Sequence, residues 1–473
     1  MVQRAYLEVG HIDLGALDLT SLHRQQADWI DPLCVARALQ SRAGALALMA
    51  GGGDPLAHGG RWSFVACEPD ATQTLMMTGD ASFDALRQPL MKTGAVIGLM
   101  SYDAGARVAT GLRPIVWPDL MLARYPALLA FDHLEQSIEA IGWGVDEAQA
   151  KAEVDRALSW LVMAVSEVEI SHTPSTAFTP DAAPEAYQAA VADVVQRIAA
   201  GELFQANIAR SWSGQLEPEQ TPFAVFERLA ATSGSAYGAY WQMDDRAIVS
   251  NSPELFLTFD PLSHLIETRP IKGTRPRHAD PVQDQALAND LAKSAKDRAE
   301  NLMIVDLMRN DLARAAVPGS VSVERLFEVE HHPTVHHLVS TVVAKARPEV
   351  AVADVLEASF PPGSITGAPK HQAMKVIASH EAPRGAWCGS LFGLNLKGDG
   401  ALTGSVLIRT ASFERTASGW AWRAQAGAGI VADSDPVSEC LETEAKISAL
   451  KAALSSPCTV SCPSLVAAGN NAA

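Results

Sequence analysis

Cationic residues are the scarce class: 37 Lys and Arg stand against 54 Asp and Glu, a formal net charge of -17. That balance argues against a sequence-independent nucleic-acid binder, which needs a cationic surface. A small anionic ligand stays compatible, because a local Arg/Lys cluster can oppose the global sign. Long apolar runs are missing too. No stretch reaches the roughly 20 residues of a membrane span, so no membrane association is expected. Cysteine is sparse: Cys34, Cys67, Cys388, Cys440, Cys458 and Cys462 are scattered, which fits reduced thiols in a cytoplasm. Cys458 and Cys462 lie in a polar tail with no second pair nearby, a poor start for a metal site. The opening M-V-Q-R-A-Y-L-E-V has no apolar core of a secretory signal. No solenoid-type repeat is present.

What is there suits a large globular chain: 473 residues, 48% hydrophobic and 19% charged. Residues 1–170 hold short apolar runs, such as Ala45–Met49 and Ala95–Met100, that read as strands between glycine turns. A helix is predicted over Asp146–Val165. Residues 171–184, rich in Ser, Thr, Pro and Ala, read as a linker. Residues 185–454 carry the dense patterning: a helix from Pro184, a strand at Phe204–Arg210 with Gln205 and Asn207 on one face, and a helix at Phe223–Ala230. One long helix is predicted from Lys293, with Leu302, Val305, Met308 and Leu312 as its core stripe. Ala386–Leu396, Ala401–Arg409 and Trp420–Gly427 read as three strands of a meander. The last helix has Asp435 as N-cap and Pro436 at its first position. Residues 455–473 read as a disordered tail.

The stretch E-T-R-P-I-K-G-T-R-P-R at Glu267–Arg277 organises the rest. Lys272 has Arg269, Arg275 and Arg277 within five residues. Neighbouring cations and burial would each lower a lysine and free its amine as a nucleophile. Local residues alone favour a solvated surface cation. Asp297 and Glu300 share one helix face; Glu439, Glu442 and Lys446 share another. Such faces are often solvated salt bridges. Should the two helices meet, the four carboxylates make an oxygen-rich site suited to Mg2+. The run H-H-P-T-V-H-H at His331–His337 tempts a zinc reading, but Pro333 opposes a helical pair and no cysteine is near. The loop F-P-P-G-S-I-T-G-A-P-K at Phe360–Lys370 only superficially resembles a phosphate loop.

Several motifs then fall in one order. S-P-E is followed by R-P-I-K-G-T-R-P-R and K-D-R-A-E-N-L-M-I-V-D-L-M-R-N-D. After them come H-H-L-V-S-T, F-P-P-G-S-I-T-G-A-P-K, R-G-A-W-C-G, I-R-T, A-G-A-G-I-V and S-E-x-x-E-T-x-x-K. Over residues 185–454 this closely resembles the chorismate-utilising enzymes. The resemblance implies an α+β fold, a large two-layer antiparallel β-sandwich flanked by helices, and a Mg2+-dependent site. By motif, Glu300 and Glu442 would be direct magnesium ligands, with Asp297 and Glu439 supporting the ion. Gly273, Thr274, Ser364, Arg409, Gly427, Gly429 and Lys446 would hold the substrate. His337 matches the histidine beside the ring, and Glu254 the general acid at the departing C4 hydroxyl. Trp387 stands where anthranilate-forming relatives carry tyrosine. Gln205 stands where water-adding relatives carry a lysine base, which argues against water as nucleophile.

Lys272 sorts the subfamily. Anthranilate-forming members resemble P-I-A-G-T here; members that make 4-amino-4-deoxychorismate, the precursor of 4-aminobenzoate and folate, resemble P-I-K-G-T. The lysine form implies amination of chorismate through a covalent amine intermediate. Anthranilate formation is the nearest rival; a zinc hydrolase on the histidine run and a silent binding subunit are more distant ones. No glutaminase Cys-His-Glu module is apparent, so ammonia is expected from a separate glutamine amidotransferase subunit. The tail is too short for an added lyase domain. Some family members hold tryptophan in the N-terminal half; the residues of such a pocket are not legible here.

Overall fold

The computed structural model describes residues 19–51, 53–76, 81–87, 94–164, 173–175 and 177–456. The opening segment, Cys458 with Cys462, and the tail beyond 456 lie outside the described residues, as do 171, 172 and 176 of the predicted linker.

Among the described residues, two antiparallel sheets of twelve and ten strands make up the β structure. Strands from before residue 171 and from after residue 184 are interleaved in both. Leu46–Met49 pairs with Tyr237–Met243 in the larger sheet. Ala95–Met100 pairs with Ser390–Leu394 in the smaller. The sheets pack face to face: Leu46, Phe64, Trp241 and Ile248 from one meet Ile97, Leu99, Met121 and Leu391 from the other in a shared core. Helices cover the outer faces. Val154 and Trp160 of the helix Glu147–Val162 and Phe223 and Phe226 of Pro222–Ser233 pack against Val65, Phe131 and Val249. Val305 and Leu312 of the helix Ala295–Ala313 join the core behind the smaller sheet. This is the predicted α+β sandwich.

Four local expectations need correction. The long helix expected from Lys293 starts two residues later, as Ala295–Ala313, and Lys293 instead closes a separate helix, Pro281–Lys293. Ser294 sets that start by accepting from the Asp297 N–H at 3.2 Å as N-cap. Leu302 is 45% exposed; Asn301 and Ile304 take the buried face with Val305, Met308 and Leu312. The supposed meander divides: Ser390–Leu394 and Leu402–Val406 pair in the smaller sheet, while Gly419–Ile430 pairs with Thr410–Thr416 in the larger. Apolar alternation marks a strand but not its sheet. Finally, the strand at Phe204–Arg210 runs on to Gln215.

The ends of the two sheets position the site. Gln205–Gln215 and Gly419–Ile430 pair near one end of the larger sheet, and Ile271–Pro276 lies at the end of the smaller, hydrogen-bonded to Val335–Lys345. The helix Pro436–Ser455 begins with Asp435 accepting from the Ser438 N–H at 2.8 Å.

Candidate active site

The ladder between Ile271–Pro276 and Val335–Lys345 shifts register between Ile271 and Thr274. Gly273 sits there at φ +87°, and a Cβ on it would lie 2.9 Å from the Asp297 side chain, so only glycine fits. Lys272 is half-buried. Its Nζ donates to the Ser364 carbonyl at 3.4 Å. Burial pulls the ammonium below its ordinary range, with Lys446 adding to that; the carboxylates of Glu300, Glu254 and Glu442 oppose it.

The expected role of the flanking arginines is not what the fold provides. Arg269 pairs with Glu330, Arg275 with Asp290 at 2.7 Å and Asp297 at 3.1 Å, and Arg277 with Asp284 at 2.9 Å. Each is neutralised locally. The cation that faces Lys272 is Lys446, from a helix about 170 residues away in the chain.

Glu254 is 4% exposed. Burial pushes its carboxyl up to about 7, against the Ser364 hydroxyl, the Lys272 charge and the Ile271 N–H. It is therefore a carboxylic acid able to hold a proton near neutrality, as a general acid needs. His337 is buried, with Nδ1 2.9 Å from Thr274 Oγ1. Burial, then His332 and Arg409, lower it to about 3. The ring stays neutral, suited to a hydrogen bond rather than to proton storage.

The histidine run does not form one cluster. His331 and His336 meet at 2.7 Å, with His336 Nε2 3.0 Å from Asp284. His332 and His337 stack edge-on at 5.3 Å as a second pair. Alternate residues of an antiparallel ladder point to opposite faces, so the pairs are divided. The zinc hydrolase reading loses its ligand set on that geometry.

The acidic helices converge on Lys272. Burial raises Glu300; Lys272 and Lys296 oppose this, and Asp297 and Glu442 add to it. Burial also acts on Glu442, but the Lys446 ammonium 2.6 Å away outweighs it and holds that carboxyl low. Glu439 accepts from Ser434 Oγ at 2.7 Å and is raised by burial. Asp297 is drawn to Arg275. Among the described residues no three His, Cys, Asp or Glu side chains gather as a ready-made metal cluster. Mg2+ needs less: one or two carboxylates, with waters and a substrate oxygen completing the shell. Glu300 and Glu442, crowded oxygen donors whose mutual repulsion a dication relieves, fit that pattern.

The glycines form the floor. A Cβ on Gly429 would lie 2.3 Å from Gln205 Nε2 and 3.3 Å from Lys272 Nζ. One on Gly427 would lie 2.4 Å from Asn207 Oδ1 and 3.2 Å from the Trp387 ring. Lys446 Nζ donates to the Gly427 carbonyl at 3.0 Å, so the glycine strand meets that helix through a carbonyl. Arg409 is held at φ +53°, and among the described residues no hydrogen bond or ion pair satisfies its guanidinium; Glu442 is its electrostatic neighbour. A free guanidinium beside a cavity floor suits a substrate carboxylate. Gly429→Ala is expected to lower kcat/KM by roughly 100-fold through displaced substrate or Gln205. Steady-state kinetics beside a thermal melt check this; unchanged kinetics would place Gly429 outside the site.

Three features escaped the sequence reading. The side-chain amide of Gln205 and Oδ1 of Asn207 are buried without partners among the described residues, as is Trp387 Nε1. Arg384 stacks on Trp387 at 5.0 Å and donates to the Asn207 carbonyl at 2.6 Å. Lys370 is sealed in an ion pair with Asp311. Only the alternation of Gln205 and Asn207 along their strand was a usable signal.

The sequence profile of chorismate binding enzymes matches residues 56–452. The chain is similar to aminodeoxychorismate synthase component 1 of Klebsiella aerogenes, 38% identical over 363 residues, which cover 75% of this chain and 76% of that protein. It is also similar to anthranilate synthase component 1 of Thermus thermophilus, 36% identical over 362 residues, 76% of each. Among solved structures, anthranilate synthase component I of Streptococcus pneumoniae superposes with a TM-score of 0.70 at 26% identity, over 82% of this chain and 92% of that one.

Proposed function

The chain belongs to the chorismate binding enzyme family, and from that premise we propose that it aminates chorismate at C4 to give 4-amino-4-deoxychorismate. The observation that carries this is the seat of Lys272: an amine lowered by burial, beside the proton-holding Glu254 and above the Gly429 floor. In the first step Lys272 Nζ bonds to C2 of the ring, both conjugated ring double bonds shift, and the C4–O bond breaks. Glu254 gives its proton to the leaving hydroxyl, which departs as water. Ammonia then bonds to C4, both double bonds shift back, and the C2–N bond breaks to return the Lys272 amine.

Arg409 and Lys446 supply positive charge for the substrate carboxylates, Thr274 and Ser364 supply hydroxyls, and neutral His337 fixes Thr274. Glu300 and Glu442 would hold Mg2+, supported by Asp297 and Glu439; the bound ion supplies the charge that polarises and anchors a substrate oxygen. Ammonia is taken from a separate glutamine amidotransferase subunit, which the "component 1" in the relatives' names supports. Cys67, Cys388 and Cys440 are buried free thiols, in keeping with a cytoplasmic site of action. No helix among the described residues is long and apolar enough to cross a membrane. For tryptophan, the candidate seat is a cavity of about 270 Å3 between the sheets, lined by Trp62, Phe64, Tyr237, Leu396 and Lys397 among others.

Incubation of the purified chain with chorismate, ammonium and Mg2+, followed by product separation, tests the proposal. The expected product is 4-amino-4-deoxychorismate, lost on chelation and restored by Mg2+. Anthranilate as the product would make the chain an anthranilate former despite Lys272.

A further inference from the structure

Lys370 lies outside the substrate site, yet its ammonium is fully committed. Nζ donates to Asp311 Oδ2 at 2.6 Å, to the Ser359 carbonyl at 3.1 Å and to the Pro361 carbonyl at 2.8 Å. An ammonium has three hydrogens, so each bond has its own donor. The side chains of Lys370 and Asp311 are 16% and 5% exposed. An ion pair this dry gains little stability over apolar side chains of similar size, which directs attention to what it positions.

What it joins is specific. Asp311 is in the last turn of the helix Ala295–Ala313, whose first two turns carry Asp297 and Glu300. Ser359 and Pro361 open the loop, and Lys370, the first residue of the helix Lys370–His380, closes it. Between them lies the turn Gly363–Ile365 with Ser364. Ser364 bears on both reacting groups: its carbonyl accepts from Lys272 Nζ, and its hydroxyl helps hold the Glu254 carboxyl down. A second tie, Arg314 Nη1 to the Ala358 carbonyl at 3.1 Å, fixes the helix side of the same loop.

We infer that the Lys370–Asp311 pair is a positioning clamp that sets Ser364 against Lys272 and Glu254 for the reaction proposed above, on which this inference rests. The clamp acts through Ser364 alone. Glu254 is otherwise faced by Lys272 from its strand, Lys446 from the helix Pro436–Ser455, the Cys388 thiol ahead of the strand Ser390–Leu394, and the Ile271 N–H. None of these is bonded to Lys370 or Asp311.

The test uses the full chain with chorismate, ammonium and Mg2+. Lys370→Met alone leaves Asp311 as a lone buried charge, so the double variant Lys370→Met/Asp311→Asn, which removes both charges together, guards against simple unfolding. The double variant is expected to fold and to lose roughly 10- to 100-fold in kcat. The alkaline limb of its pH profile should move upward, because the hydroxyl that lowers Glu254 is displaced. Ser364→Ala should move the limb the same way. On the Ser364→Ala background the double change should move the limb no further, since the hydroxyl it displaces is already gone.

An unmoved limb in the double variant, or a limb that moves as far again on the Ser364→Ala background, would reduce the pair to a structural role. A wild type that leaves chorismate untouched would overturn the reading beneath the clamp. A wild type that converts it while the two limb shifts simply add would overturn the clamp alone.

Discussion

Lys272→Ala removes 4-amino-4-deoxychorismate formation by on the order of 10⁴-fold, the scale at which covalent catalysis disappears when its nucleophile is deleted. That loss corresponds to about 5.4 kcal/mol of transition-state stabilisation at 1.36 kcal/mol per decade. No other amine replaces it, because Lys446 is tied to Glu442 and to the Gly427 carbonyl. The fold should tolerate the change. Lys272 makes one long hydrogen bond, and burial penalises its charge. Product analysis gives the readout. Residual turnover that shifts to anthranilate means that ammonia attacks C2 directly once the lysine is gone. A variant that still makes 4-amino-4-deoxychorismate at the wild-type rate would end the covalent mechanism, whatever the family.

Glu254→Gln is expected to cost roughly 10²- to 10⁴-fold in kcat, the usual contribution of a positioned general acid. Its pH signature is specific. The acid form is the active one, so wild-type activity falls as pH rises through about 7, where the carboxyl ionises. Lys272 works in the opposite sense: its active form is the neutral amine, which grows with pH. The glutamine variant should lose the alkaline limb while keeping the dependence set by Lys272.

Stability follows the same proton. A carboxyl raised from 4.5 to about 7 by burial binds its proton more tightly folded than unfolded. The stabilisation from that proton is complete at low pH and is lost as pH climbs through this window. Above about 7 the charged carboxylate burdens the fold by up to roughly 3 kcal/mol at 1.36 kcal/mol per unit of pH. Glu254→Gln should therefore melt higher than wild type at pH 8 while being nearly inactive. A variant that is inactive and also less stable would place Glu254 in the core's packing rather than at the acid's task.

Much of the site was legible in the chain because its chemistry is written in short motifs. Lys272, Glu300, Glu442 and Ser364 stand in stretches whose composition, order and spacing are unusual for a core. The fold class followed from the family those motifs resemble, and several elements from local rules. Asp435 with Pro436 announced the last helix, and Ala95–Met100 announced a strand. Misreadings came where a local pattern has two physical solutions. The helix read from Lys293 begins at Ala295, because the Ser294 hydroxyl accepts from the Asp297 N–H and caps it there. His331–His337 gathers four imidazoles in seven residues, and the ladder separates them into two pairs.

The sequence by itself determined which groups are available: a lysine within R-P-I-K-G-T, four carboxylates in the early turns of two helices, glycines where a side chain would fill the floor. It did so because residue type and near spacing are local properties of the chain. Only the tertiary structure decided what each group experiences. Lys272 owes its lowered pKa to burial and to Lys446, not to the three arginines beside it in sequence, since each arginine found an acid nearer than the lysine. Glu254 holds a proton because the two sheets close over it, and Ser364 reaches it because Lys370 and Asp311 hold the loop in place. Desolvation and charge act through space, and the neighbours that set them here are tens to hundreds of residues distant along the chain.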